Sequence, residues 1–282
     1  MKTNYNNKIP NDFFNNVLKI STSTIISALV VAITLPIITK MFSASILGKY
    51  QLLISIINIF GVISCFKYEM AIVIPEKDDI ASRVLILCLL ALSSFCLILL
   101  LIFYFTSGAL LKALNAENLI DTFWLIPIGV LFLGLFEIIK YSLLRKKLFN
   151  HFSKARVYQV LSTQSLMIIF GLIKPSFISL FLAFISGHFI STMTFLKKSL
   201  MKIKPSKKIK IFKIAKKFKK FPFFNTPMVF ANTLSNELPV FFLATYFSSE
   251  TLGYFLLANR LIVIPMNLIG TAINKVYFQK AS

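Results

Sequence analysis

The stretch Val84–Phe105, VLILCLLALSSFCLILLLIFYF, carries no charge over 22 residues and no alternation of polar and apolar side chains. A helix needs about 20 such residues to cross ~30 Å of hydrocarbon, whereas a barrel strand needs about half as many and alternates. In lipid the backbone must satisfy its own hydrogen bonds, so a run of this length reads as a membrane-crossing α-helix. Seven similar runs lie outward from it: Val17–Ile38, Leu47–Phe66, Phe123–Leu144, Val157–Ile173, Ser176–Leu196, Phe223–Phe247 and Leu252–Tyr277. The expected fold is an all-α integral membrane protein with eight transmembrane helices. Composition agrees: 57% of the 282 residues are hydrophobic and mean hydropathy is +0.78, where soluble chains are ~45–50% apolar. The first run lacks the cleavage pattern of a secretory signal and reads as a helix. Cys65, Cys88 and Cys96 lie inside or at the end of apolar runs without metal-ligand spacing, and read as small buried hydrophobes.

The net charge of +21 would suggest nucleic acid in a soluble chain. Its distribution here makes it a topology signal. With the N-terminus in the cytoplasm, 26 of the 31 Lys and Arg fall in inner segments. Four fall in outer ones (Lys40, Lys49, Lys112, Lys174), and Arg260 lies inside the eighth run. This is the positive-inside asymmetry, which predicts a multi-pass protein of the cytoplasmic membrane with an inner N-terminus. Twelve lysines crowd into Lys197–Lys220, interleaved with Ile209, Ile211, Phe212, Ile214, Ala215 and Phe218. That pattern predicts a basic amphipathic helix on the inner membrane surface, with anionic lipid as its partner.

Phe42-Ser43-Ala44-Ser45-Ile46-Leu47-Gly48 and Phe247-Ser248-Ser249-Glu250-Thr251-Leu252-Gly253 share the pattern F-S-x-x-x-L-G, 205 residues apart. A Tyr follows each (Tyr50, Tyr254), and a Leu-Pro pair precedes each (Leu35-Pro36, Leu238-Pro239). Runs seven and eight then repeat runs one and two. The unit is six helices, and an even number makes the repeats parallel. The expected organisation is a complete six-helix N-lobe at 1–196, a basic connector at 197–221, and the first two helices of a second lobe at 222–282. On this reading the chain stops partway through its second lobe and is C-terminally truncated.

Polar residues at membrane depth mark the candidate site. Arg260, Asn267, Thr271 and Asn274 fall within about 60° on one helix face. Asn225, Asn232 and Asn236 share a face of the seventh run, with Glu237 adjacent. Gln51, Ser55 and Asn58 form a stripe on the second run, and Ser23, Ser27 and Thr34 one on the first. Arg at the bilayer centre costs at least ~2.5–3.5 kcal/mol on insertion scales, so such residues face a bundle interior. Two readings stand: Arg260 lines a cavity and holds an anion through its planar fork, or it pairs with Glu237. The asparagines serve as interhelical hydrogen-bonding glue or as ligand contacts. His188 reads as a packing residue, and Pro36, Pro127, Pro239 and Pro265 as interruptions of the spanning runs. Glu137 is expected to pair with Lys140, and Glu69 with Lys67. With no paired loop carboxylates, no Ser/His/Asp set, no metal-ligand spacing and no Walker-type phosphate loop, no catalytic residue, metal or cofactor is expected.

Several segments carry a family resemblance. They are Asn16–Lys19 through Leu35–Ile38 and Leu47–Tyr50, Tyr68-Glu69-Met70-Ala71-Ile72-Val73-Ile74-Pro75, and Leu144-Arg145-Lys146-Lys147-Leu148-Phe149. Phe221-Pro222 through Leu238-Pro239, Leu252-Gly253-Tyr254, Ala258-Asn259-Arg260 and Ile264-Pro265 add to them. Together they resemble bacterial polysaccharide-biosynthesis flippases of the O-antigen and capsule type, within the MATE-like superfamily of multidrug, oligosaccharidyl-lipid and polysaccharide exporters. The resemblance implies a transporter rather than an enzyme. It would flip an undecaprenyl-pyrophosphate-linked oligosaccharide by alternating access around a cationic cavity. Arg260 would meet the pyrophosphate or acidic sugars, and Asn267, Asn274, Asn232, Asn236, Glu237, Gln51, Ser55 and Asn58 would line the cavity. The implied partners are that lipid-linked glycan, membrane lipids, and a polysaccharide polymerase or other assembly proteins, not nucleic acid. Such proteins carry about twelve helices or more. The alternatives are a cation-coupled multidrug antiporter of the same fold and an inactive truncated remnant.

Overall fold

The computed structural model describes residues 11–113, 122–199, 211–263 and 266. Every regular element among them is a helix: α1 (Asn11–Met41), α2 (Ala44–Ile63), a 3-10 turn (Tyr68–Val73), α3 (Asp78–Ala113), α4 (Leu125–Arg145), α5 (Phe149–Ile173) and α6 (Phe177–Ser199). There follow α7 (Ile211–Lys217), a π turn (Phe221–Asn225), α8 (Thr226–Tyr246) and α9 (249–263). Six helices, α1 to α6, contain stretches long and apolar enough to cross a membrane. Of the eight expected spans, the eighth continues outside the described residues. The seventh, α8, has the length at 21 residues, but Asn232, Asn236 and Glu237 dilute its apolar character.

Apolar runs understate the helices. α3 extends from Asp78 to Ala113 around Val84–Phe105, and α5 starts at Phe149, two turns before its run begins. α2 starts where the repeat motif predicts, with the Ser43 hydroxyl accepting from the Ile46 N–H at 3.4 Å. Pro36 and Pro239 lie within α1 and α8. Pro127 does not interrupt a helix: it lies in the first turn of α4, where the missing N–H has no partner to lose.

α1 packs on α5, α5 on α6, α6 on α4, and α4 on both α2 and α3. The core runs through α2, α4 and α6, around Leu53, Ile57, Ile126, Val130 and Phe181, with Leu92 on the inner face of α3, all fully buried. α1, α3 and α5 are peripheral and show exposed apolar side chains such as Ile33, Leu97 and Leu172, as lipid contact requires. Cys65, Cys88 and Cys96 are buried free thiols. His188 packs between Phe136 and Phe184, its Nδ1 2.8 Å from the Phe184 carbonyl oxygen.

The two F-S-x-x-x-L-G segments meet. A Cβ on Gly48 would fall 1.8 Å from the Ser249 carbonyl oxygen, and one on Gly253 would fall 1.9 Å from that of Ala44. Ala44 and Ser249 are equivalent in the repeat, as are Gly48 and Gly253, so the contact is reciprocal. Small residues four apart (Ala44 and Gly48, Ser249 and Gly253) let the two backbones touch.

Two other motifs meet at the opposite end of the bundle. Left-handed backbone at Phe66 and Lys67 (φ 49° and 56°) ends α2 and turns the chain into the Tyr68–Val73 turn. Ala71 and Ile72 there are fully buried. The Arg145 guanidinium gathers the turn's exit. Nη1 donates to the carbonyls of Ile72 (3.2 Å) and Pro75, and Nη2 to that of Glu76 (3.4 Å) and to the Asp78 carboxylate (2.8 Å). Glu69 pairs with Lys67 at 3.2 Å and Glu137 with Lys140 at 2.7 Å. Burial raises the Glu69 carboxyl above its ordinary range, against the pull of Lys67. α7 docks on α3 through Ile214 and Phe218, and the Tyr68 hydroxyl donates to the Ala215 carbonyl at 3.3 Å. Lys213, Lys216, Lys217 and Phe212 point outward. The basic helix is thus seated on the bundle, on its Ile214 face.

Candidate functional site

Between α1, α5 and α9 lies a cavity of about 380 Å³. α1 contributes Thr24 and Ser27, α5 contributes Arg156 and Gln159, and α9 contributes Asn259 and Arg260. Helical periodicity explains the grouping: 24 and 27, and 156 and 159, are i,i+3 pairs on one face of their helix, and 259 and 260 lie either side of the direction of Val263, one turn on. Two guanidinium groups from distant parts of the chain therefore share one space. Arg156 Nη1 donates to the Thr24 hydroxyl at 3.2 Å, which fixes its direction and leaves donors for a ligand. The Ser27 hydroxyl is committed to the Ser23 carbonyl at 2.8 Å.

Such a cavity suits an anion. Arg presents a planar fork that matches phosphate or carboxylate oxygens two at a time, and it remains charged when dehydrated. Two forks with neutral donors around them suit a group carrying more than one negative charge.

Glu237 does not lie with Arg260 in an ion pair among the described residues. It binds α2 instead: Ser55 donates to Oε2 at 2.5 Å and Asn58 to Oε1 at 2.9 Å, while Gln51 donates to Ser55 at 3.3 Å. The second-run stripe and Glu237 thus form one network that joins α2 to α8. Asn232 and Asn236 are exposed on α8. Asn267, Thr271 and Asn274 lie outside the described residues. The first-run stripe divides: Ser27 faces the arginine cavity, while Thr34 meets Gln164 of α5 at 3.1 Å. Glu237→Ala should remove the acceptor of one buried donor, Ser55, and one half-buried donor, Asn58. The loss should be about 3 kcal/mol, read as a lower melting temperature of the purified protein in detergent.

Sequence reading missed Arg156, Thr24 and Gln159. Arg156 was counted among loop charges because the fifth apolar run begins at Val157. The helix actually starts seven residues before Arg156, which lifts it about 10 Å into the bundle. A 100° periodicity count begun at Phe149 would have set Arg156 and Gln159 on one face.

A family model described as "Polysaccharide biosynthesis protein" matches residues 37–282. No curated protein and no solved structure matches the chain.

Proposed function

The chain belongs to the polysaccharide biosynthesis protein family, and from that premise we propose that it flips an undecaprenyl-pyrophosphate-linked oligosaccharide across the cytoplasmic membrane. The observation that carries this reading is the pair Arg156 and Arg260, from α5 and α9, lining one cavity. A pyrophosphate offers the oxygens and the charge that two guanidinium forks accept. A glycan supplies hydroxyls for Gln159, Asn259 and the neighbouring amides.

The proposed architecture has eight crossings. Helices α1 to α6 form the first lobe, whose expected boundary at 196 falls in the last turn of α6; the basic connector follows to 221, and 222–282 holds two helices of a second lobe. The reciprocal contact of Gly48 and Gly253 supports a parallel repeat about an axis along the membrane normal, because equivalent residues meet across such an axis. Alternating access then rocks the lobes about the arginine cavity. The N-terminus is cytoplasmic on the charge count.

Loss of the gene should leave the lipid-linked glycan on the inner leaflet. A lectin specific for the glycan, applied to intact spheroplasts, should label it in wild-type cells and not in the deletion strain. Equal labelling in both would end the flippase reading. Orientation has its own test. The native cysteines are buried, so single added cysteines report cleanly. Lys40→Cys should react with an impermeant maleimide from outside and Lys216→Cys only after permeabilisation. The opposite result would invert the topology.

A further inference from the structure

The α1–α5 seam has two faces, and the arginine cavity occupies one of them. On the other, Lys19 and Thr22 of α1 and Asn150, Ser153, Lys154 and Tyr158 of α5 surround a groove of about 540 Å³. Among the described residues none of α8 or α9 lines it, so it opens on the flank of the bundle away from them. Lys19 sits at the start of the span Leu18–Met41, and Lys154 lies in the second turn of Phe149–Ile173. Both are therefore at one membrane boundary.

Three features point to a ligand. First, no acid lines the groove, and neither lysine has a carboxylate partner among the described residues. Second, Ser153 is 7% exposed and its hydroxyl has no hydrogen-bond partner. A buried hydroxyl without an acceptor is costly, and a ligand oxygen would satisfy it. Third, the groove continues as an apolar strip: Ile26 lines it, exposed Ile33 lies two turns further along α1, and exposed Leu161 two turns beyond Lys154 on α5. Cations and hydroxyls at the membrane edge, followed by apolar surface toward the midplane, form the polarity profile of one phospholipid.

We infer that this groove seats the phosphate of a resident anionic phospholipid, with Lys19, Lys154 and Ser153 on the headgroup and the acyl chains along Ile26, Ile33 and Leu161. A free phosphate would gain nothing from the strip. α1 packs directly on α5 between the two faces, so this lipid does not share the arginine cavity. The inference does not depend on the transported substrate.

The test uses the full chain, purified in detergent, delipidated and titrated with phosphatidylglycerol under native mass spectrometry. The wild-type protein should retain one tight phosphatidylglycerol, and neither phosphatidylcholine nor millimolar inorganic phosphate should displace it. Lys19→Gln and Lys154→Gln should each raise Kd about fivefold, and the pair about 25-fold. Lys216→Gln with Lys217→Gln, which removes the same charge from α7, should leave that Kd unchanged. If the double groove variant is not monodisperse, the single variants and Ser153→Ala carry the comparison. Unchanged affinity in the groove variants overturns the site. Displacement by inorganic phosphate overturns the lipid assignment. Tighter retention of a polyprenyl phosphate than of phosphatidylglycerol overturns the resident phospholipid and makes the groove a loading site for substrate.

Discussion

Arg260→Gln, alone or with Arg156→Gln, should cut surface polysaccharide at least tenfold without reducing the amount of protein in the membrane. Each guanidinium can give two charge-assisted hydrogen bonds to a pyrophosphate. Losing one such interaction is worth about 1.5–3 kcal/mol, a factor of ten to over a hundred. Arg260→Lys should be intermediate, because it keeps the charge and loses the fork. Membrane level by immunoblot separates transport from insertion, since replacing an Arg within a spanning helix by Gln makes insertion easier. Surface glycan at the wild-type level in the double variant would remove both arginines from the mechanism.

Gly48→Leu and Gly253→Leu should be the most damaging single changes outside the cavity. Even the first added carbon would lie 1.8 Å from the Ser249 carbonyl oxygen in one case and 1.9 Å from that of Ala44 in the other. Backbone cannot turn aside as a rotamer can, so α2 and α9 must separate. Overpacking against side chains costs about 1–3 kcal/mol, and a backbone obstacle should exceed that range. Gly61→Ala is the control: its methyl would meet the end of the Leu133 side chain at 2.9 Å, which can swing away. The expected ranking in thermal unfolding is Gly61→Ala near wild type and both Leu variants far below, with glycan export lost. A Gly48→Leu protein as stable as wild type would contradict the close crossing.

The helical class was legible because apolar blocks such as Val84–Phe105 leave the backbone no alternative in lipid. The recurring F-S-x-x-x-L-G pattern singled out Gly48 and Gly253, and the structure brings these two segments into contact, as small residues allow. Arg260 stood out as a charge amid apolar neighbours. Arg156 did not, because a charge two turns inside a helix looks like a loop charge when the start of the apolar run is taken as the start of the helix. The fate of Glu237 was also hidden. Its neighbours in space, Ser55 and Asn58, are about 180 residues away in sequence, and no periodicity pairs residues across helices. Docking of α7 on α3 is likewise a tertiary outcome: the basic amphipathic pattern looks the same whether its apolar face meets lipid or protein.

The turn at Tyr68–Val73 and the chain leaving it toward α3 hang from a single side chain. Arg145 reaches three main-chain oxygens and one carboxylate from one flat group. An ammonium on a flexible stem has three donors radiating from one point and cannot span that fan. Position 145 should therefore tolerate not even its nearest chemical neighbour. Shortening that fan by a single exchange, Arg145→Lys, should slacken the exit toward α3 while leaving the six apolar spans in place.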